Sequence, residues 1–118
     1  VITRFISKVN KNEAPIIYGD GHQTRDFIHV NDVIDVFIKS MNIKKGNTYN
    51  LGSGKSISLN DLANILMKEK KMKGIKPEYK DTREGEIIAS VADISKLKKN
   101  YEWSPTTNIE DGIKSIVN

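Results

Sequence analysis

The sequence contains no cysteine, only two histidines, three prolines and one tryptophan among 118 residues. Without cysteine there can be no disulfide framework, thiolate metal site or thiol nucleophile, and a cytoplasmic origin is expected. His22 and His29 are too few and too isolated for a metal site. No apolar run approaches the roughly 20 residues that cross a bilayer, and nothing resembles a signal peptide, so no membrane partner is expected. Repeats, low-complexity tracts and interdomain linkers are also missing. Aromatics are sparse, at 7%. The basic run Lys68, Lys70, Lys71, Lys73 and Lys76 has no interleaved rings for base stacking, so it reads as a solvated helix end and no nucleic acid is expected as a partner.

What is present fits one domain with one ordinary core: 37% hydrophobic residues, 29% charged residues and a net charge of +4. The mild positive balance favours anionic ligands in general. Ile2, Phe5, Ile6 and Val9 fall at helical spacing, and the pattern stops before Pro15. Pro15-Ile16-Ile17-Tyr18 predicts a short strand closed by the Gly19-Asp20-Gly21 turn. A second strand is predicted over 24–30. It would set Arg25, Phe27 and His29 on one face and Asp26, Ile28 and Val30 on the other. Asn31 reads as the cap of a helix whose apolar face is Val33, Ile34, Phe37, Ile38 and Met41. Thr48–Leu51 reads as a strand, and Ser58 with Asp61 as a capping pair for a helix carrying Leu59, Leu62, Ala63 and Leu66. A further strand is expected over Pro77–Lys80 and a short helix over Ile94–Lys99, capped by Asp93. Thr107 and Glu110 read as the capping box of a last helix with Ile109, Ile113, Ile116 and Val117 inward. Helices alternating with short strands give an α/β fold class, a small mixed domain of about five helices and several short strands.

Some stretches invite chemistry and must be weighed. Gly52-Ser53-Gly54-Lys55-Ser56 resembles the end of a phosphate loop, but that loop needs a glycine where Tyr49 stands, so a plain turn is preferred. His29 as a general base lacks a diagnostic serine or carboxylate, and a structural role is preferred. Arg25 and Arg83 carry planar forks suited to phosphate or carboxylate. A cation beside a ring, Arg25 with Phe27, suits an anionic aromatic ligand, or equally a salt bridge beside a core phenylalanine.

In order and spacing, several segments together resemble the C-terminal, substrate-binding part of an extended short-chain dehydrogenase/reductase. They are Ile17–Gly21, Gln23–Val30, Asn31-Asp32-Val33, Tyr49–Gly54, Arg83–Glu86 and Trp103-Ser104-Pro105. Within that class the chain is most similar to the NAD-dependent epimerase/dehydratases of the UDP-glucose 4-epimerase kind, over essentially all its length. The resemblance implies a substrate-binding set. Arg25 and Arg83 would meet the diphosphate of a UDP-sugar, and Phe27 would lie beside the nucleotide. The backbone of Ile16, Ile17 and Tyr18 would face uracil, and Glu86 the ribose. Many epimerases have tyrosine at the position of Phe27, and some relatives have an aromatic at that of Ser90.

The resemblance also implies NAD as the cofactor of an intact family member, held by a glycine-rich turn, with a Tyr-x-x-x-Lys pair for proton transfer. Neither motif is present. Four residues after Tyr18, Tyr49, Tyr79 and Tyr101 stand His22, Ser53, Arg83 and Pro105. The chain opens at Val1 inside a helical pattern, so a fragment without its Rossmann domain is expected, binding no NAD and carrying no catalytic residue. The intact protein would be an enzyme of the isomerase class, and residues 1–118 its nucleotide-sugar-binding domain. A nucleotide-sugar 4,6-dehydratase is the alternative within the family, and a non-enzymatic nucleotide-binding module the alternative outside it. One surface should be apolar and uncovered, open to the missing domain or to another copy, with the first helix and Pro15–Tyr18 as candidates.

Overall fold

A computed structural model describes residues 1–41 and 46–117. Its elements run α1 (Ile2–Asn10), β1 (Ile16–Tyr18), β2 (Thr24–Asp26), α2 (Val30–Ser40), β3 (Ser56–Ser58), α3 (Leu59–Glu69), β4 (Glu78–Lys80), α4 (Ser95–Tyr101) and α5 (Ile109–Val117). The strands form two separate pairs. β1 lies parallel to β4 with Ile17 opposite Tyr79, and β2 lies antiparallel to β3 with Arg25 opposite Ile57.

The main core explains why the helical patterns fold as they do. Phe5 and Val9 of α1, Ile17 of β1, Leu62, Ala63 and Leu66 of α3, and Ile113 and Val117 of α5 bury one another. α3 is the centre of this packing, and Ser58 caps it by accepting from the Asp61 amide at 3.0 Å, as the sequence indicates. Ile94, Leu97 and Trp103 form a smaller second cluster, against which Ile28, Val36 and Leu51 pack.

Four local readings are corrected. The strand predicted over 24–30 ends at Asp26, because His29 caps α2: its Nδ1 accepts from the Asn31 amide at 3.3 Å. The chain must leave the extended ladder before that cap, and Asn31 is already inside the helix. No strand forms over Thr48–Leu51; the pairing partner of β2 is instead the more polar Ser56–Ser58. The last helix is capped by Asn108, whose Oδ1 accepts from the Asp111 amide at 2.8 Å, one residue beyond the expected Thr107 box. Finally, Phe5, Val9, Pro15 and Ile17 are buried, so neither α1 nor β1 is the uncovered surface. The exposed large apolar side chains lie instead mainly on α2, at Val30, Ile34, Phe37 and Ile38, and after Glu86, at Ile87, Ile88 and Val91.

The Gly19-Asp20-Gly21 turn ties the two strand pairs to α3. Asn60 donates its amide to Gly21 O at 3.1 Å and its side-chain NH2 to Asp20 O at 3.0 Å. A Cβ on Gly21 would lie 2.1 Å from Asn60 Oδ1, and φ there is +78°, so this approach requires glycine.

Candidate functional site

Arg25 is held by the segment that carries Arg83. Its Nη2 pairs with Glu86 Oε1 at 2.5 Å, and its Nη1 donates to Ile87 O at 2.6 Å and to Thr24 O at 2.8 Å. The backbone brings these parts together. Thr24 N donates to Ile88 O at 2.9 Å, and Ser90 N donates back to Thr24 O at 3.2 Å, so the chain after Glu86 runs along β2. Arg83, three residues earlier, lies over the Tyr18 ring with its guanidinium carbon 3.6 Å from the centroid, a cation–π contact. The guanidinium also holds the Tyr18 phenol below its ordinary pKa, because it favours the phenolate.

Of the residues expected from the sequence, Arg25 with Glu86 and Arg83 with Tyr18 thus form two contacts along one stretch of chain. Ile16 is half-buried, and Ile17 is fully buried in the core, so only its backbone is available. Phe27 departs from the expected arrangement. It lies beyond the end of β2, packs on the main core, and lines a hollow of about 460 Å³ with Ile57, Pro105 and Ile109. None of the residues that bind the Arg25 guanidinium lines that hollow. β2 stops at Asp26, between Arg25 and Phe27, so strand alternation does not by itself set the two on one face.

Two polar residues escaped the sequence reading and organise this region. Gln23 is buried and donates Nε2 to Tyr18 O at 2.6 Å, fixing the end of β1. The Asp26 carboxylate accepts from Ser53 N at 2.8 Å, Ser53 Oγ at 2.5 Å, Gly54 N at 3.0 Å and Ala92 N at 3.1 Å. Burial pushes its pKa up, but these donors outweigh burial and leave it below the ordinary value. A Cβ on Gly52 would stand 2.6 Å from Asp26 Oδ2, so glycine lets this loop close on the carboxylate. Alternation of apolar and polar residues carries no sign of such a hub, because the Gly-Ser-Gly turn lies 27 residues along the chain from the aspartate.

The same hub bears on cofactors. The Ser53 and Gly54 amides, which a phosphate loop would present to an anion, are already donated to Asp26, and the turn leads into β3 rather than into a helix. Gly19 and Gly21 likewise turn into β2. No described glycine turn opens a helix, so the residues present do not fit a dinucleotide pyrophosphate. Among the described residues no group of three or more His, Cys, Asp or Glu side chains is placed to hold a metal ion, and no helix is long and apolar enough to cross a membrane. His29, capped against Asn31 and 3.3 Å from Ser115 Oγ, has a structural role.

Known proteins share this fold. The family described as GDP-mannose 4,6 dehydratase matches residues 1–116. The UDP-glucuronate 4-epimerase of Thermodesulfobacterium geofontis is 37% identical over 118 residues, covering 99% of this chain and 36% of that protein. The crystal structure of the Thermotoga maritima UDP-glucose 4-epimerase with UDP-glucose superposes with a TM-score of 0.91 at 28% identity, covering 98% of this chain and 37% of that one. The Bacillus cereus UDP-glucuronic acid 4-epimerase, in complex with UDP-glucuronic acid and NAD, gives 0.85 at 30% identity, covering 96% and 37%. The chain thus spans little more than a third of the length of these relatives. With the match over almost its whole length, it belongs to the GDP-mannose 4,6-dehydratase family, the NAD-dependent nucleotide-sugar epimerases and dehydratases of the extended short-chain dehydrogenase/reductase class.

Proposed function

We propose that residues 1–118 form the nucleotide-gripping domain of an NAD-dependent UDP-sugar epimerase, of the UDP-glucose 4-epimerase kind. The observation that supports this reading is that segment 83–87 both carries Arg83, which lies over Tyr18, and binds Arg25 through Glu86 and the Ile87 carbonyl. Two guanidinium groups held in place before a ligand arrives meet a diphosphate with little reorganisation. β1 has no second strand along its other edge among the described residues, so the backbone of Ile16–Tyr18 is open to a base that pairs through its own donors and acceptors. Tyr18 O is the exception, being taken by Gln23. Glu86 would accept from a ribose hydroxyl once a diphosphate draws Arg25 away.

NAD, the proton-transferring pair and the Rossmann domain lie outside these residues in this reading. The domain's part in the reaction is to hold the nucleotide while the sugar is left free to turn. A second reading within the family is a dehydratase, favoured by the description of the matching family itself; the substrate grip is common to both.

Titration of the chain with UDP and with uridine, followed by backbone amide shifts, tests the grip. UDP should bind in about the millimolar range, about −4 kcal/mol, with shifts at Tyr18, Arg25 and Arg83–Glu86. Arg25→Ala and Arg83→Ala should each weaken UDP by about tenfold and leave uridine unchanged. Equal effects of the two ligands, or shifts confined to Lys68–Lys76, would refute the diphosphate assignment.

A further inference from the structure

Glu86 faces two ways. Its Oε1 accepts from Arg25 Nη2 at 2.5 Å, and the pair is partly buried, with side-chain exposures of 25% and 19%. The same side chain lines a hollow of about 520 Å³ that Arg25 does not line, together with Asp20, Lys80, Asp81 and Thr82. Among the described residues no hydrogen bond reaches Glu86 Oε2.

Holding the chain in place does not require this pair. The segment after Glu86 is already tied to β2, since Arg25 Nη1 donates to Ile87 O, Thr24 N to Ile88 O, and Ser90 N back to Thr24 O. All of those acceptors are backbone carbonyls, and none depends on a carboxylate. What Glu86 adds is charge. It takes one N–H of the Arg25 guanidinium and sets a negative group where an incoming phosphate would come.

The hollow has its own chemical bias. Three carboxyl side chains, Asp20, Asp81 and Glu86, line it against one lysine and His22. Carboxylates only accept hydrogen bonds and repel anions, so the hollow suits a neutral group rich in hydroxyl donors. A phosphate that draws Arg25 away leaves Glu86 beside new negative charge with its partner lost. That loss is offset only by a ligand that brings donors of its own to the carboxylate, as a vicinal diol does.

We infer that Glu86 is a specificity gate. Paired with Arg25 before a ligand arrives, it exchanges that partner for the vicinal diol of a nucleoside diphosphate, and it rejects inorganic pyrophosphate and other diphosphates that lack a diol. Selection of this kind works through a repulsive element rather than an added contact. The inference rests on the reading of Arg25 and Arg83 as a diphosphate grip.

The test follows amide shifts of the 118-residue chain with UDP, 2′,3′-dideoxy-UDP and inorganic pyrophosphate. The unsubstituted chain should bind UDP about tenfold more tightly than either of the others. Glu86→Gln should tighten pyrophosphate by about fivefold and leave UDP within about twofold, so that most of the preference for UDP disappears. Arg25→Ala combined with Glu86→Gln should abolish that gain. Glu84→Gln, which removes the neighbouring exposed carboxylate, should change pyrophosphate by less than about twofold. Equal gains from Glu84→Gln and Glu86→Gln would reduce the effect to net charge and overturn the gate. So would equal binding of UDP and its dideoxy form, or an unchanged affinity of Glu86→Gln for pyrophosphate. Failure of the grip looks different: no ligand then shifts Arg25 or Arg83 in any variant, and both readings fall. Binding at those residues without discrimination keeps the grip and rejects the gate. Should Glu86→Gln not fold, the comparison of UDP with dideoxy-UDP on the unsubstituted chain decides the matter.

Discussion

A carboxylate that accepts from several donors at once loses all of them together when it takes up a proton. Asp26 has four such donors and Asp32 three, the amide and hydroxyl of Thr106 at 2.9 Å each and the Thr107 amide at 3.2 Å. For Asp32, as for Asp26, burial raises the pKa but the hydrogen bonds prevail and the value lies below the usual 3.8. A carboxylate whose pKa falls on folding contributes stability that is fully present above its unfolded pKa, and that is lost as pH drops through the folded value. Urea midpoints should therefore hold between pH 6 and 5 and fall below about pH 4. Asp26→Asn and Asp32→Asn should each cost about 1–3 kcal/mol at pH 6 and flatten the acid limb of the profile. An unchanged acid limb in the double variant would locate acid sensitivity elsewhere. Neither aspartate was legible as a hub, because their partners are 27 to 75 residues away and mostly backbone amides, which any residue supplies. Arg25, Arg83 and Glu86 were singled out by the resemblance, because an arginine and a glutamate in a polar stretch are common on any surface. The structure itself contains an Arg25–Glu86 ion pair and a Phe27 packed on the core, the salt bridge beside a core phenylalanine that the sequence left open.

Helices were the most legible elements, and their ends the least. The stripes of α1, α3 and α5 are largely buried where periodicity placed them, with Phe5, Leu62 and Ile113 in the core, but Ile116, expected inward, is 49% exposed. The strands are only three residues each, too short for alternation to fix their bounds. β3 had no apolar signature, and Thr48–Leu51 had one without a partner to pair with. α2 was legible as an amphipathic helix, yet periodicity says which side is apolar and nothing about who covers it. The cap of α5 separates two readings of residues 107–111, the Thr107–Glu110 box and the Asn108–Asp111 cap. Asn108→Ala should cost about 1 kcal/mol by chemical denaturation, whereas Glu110→Ala should change stability by less than about 0.5 kcal/mol. Comparable losses would restore the Thr107–Glu110 box as the working cap.

The molecule as a whole is a slab of 53 × 33 × 16 Å with a radius of gyration of 16.5 Å, against about 13.5 Å for a compact domain of this length. That thickness leaves room for one layer of helices and a pair of strands, and it explains why the core divides into two clusters. The pairing of β1 with β4 also has a kinetic meaning. Ile17 and Tyr79 are partners across the whole of α2, β3 and α3, and a parallel pair cannot be closed by a tight turn. The intervening helices must be gathered first, so this ladder closes late on the folding route. Refolding should take milliseconds to seconds, and Ile17→Val should quicken unfolding while leaving the refolding rate nearly unchanged. A refolding rate that falls in step with stability would instead place the ladder in the nucleus. In a late-closing ladder, strand β1 is the first part of the fold to come undone, and with it goes the open backbone edge on which a base would rest.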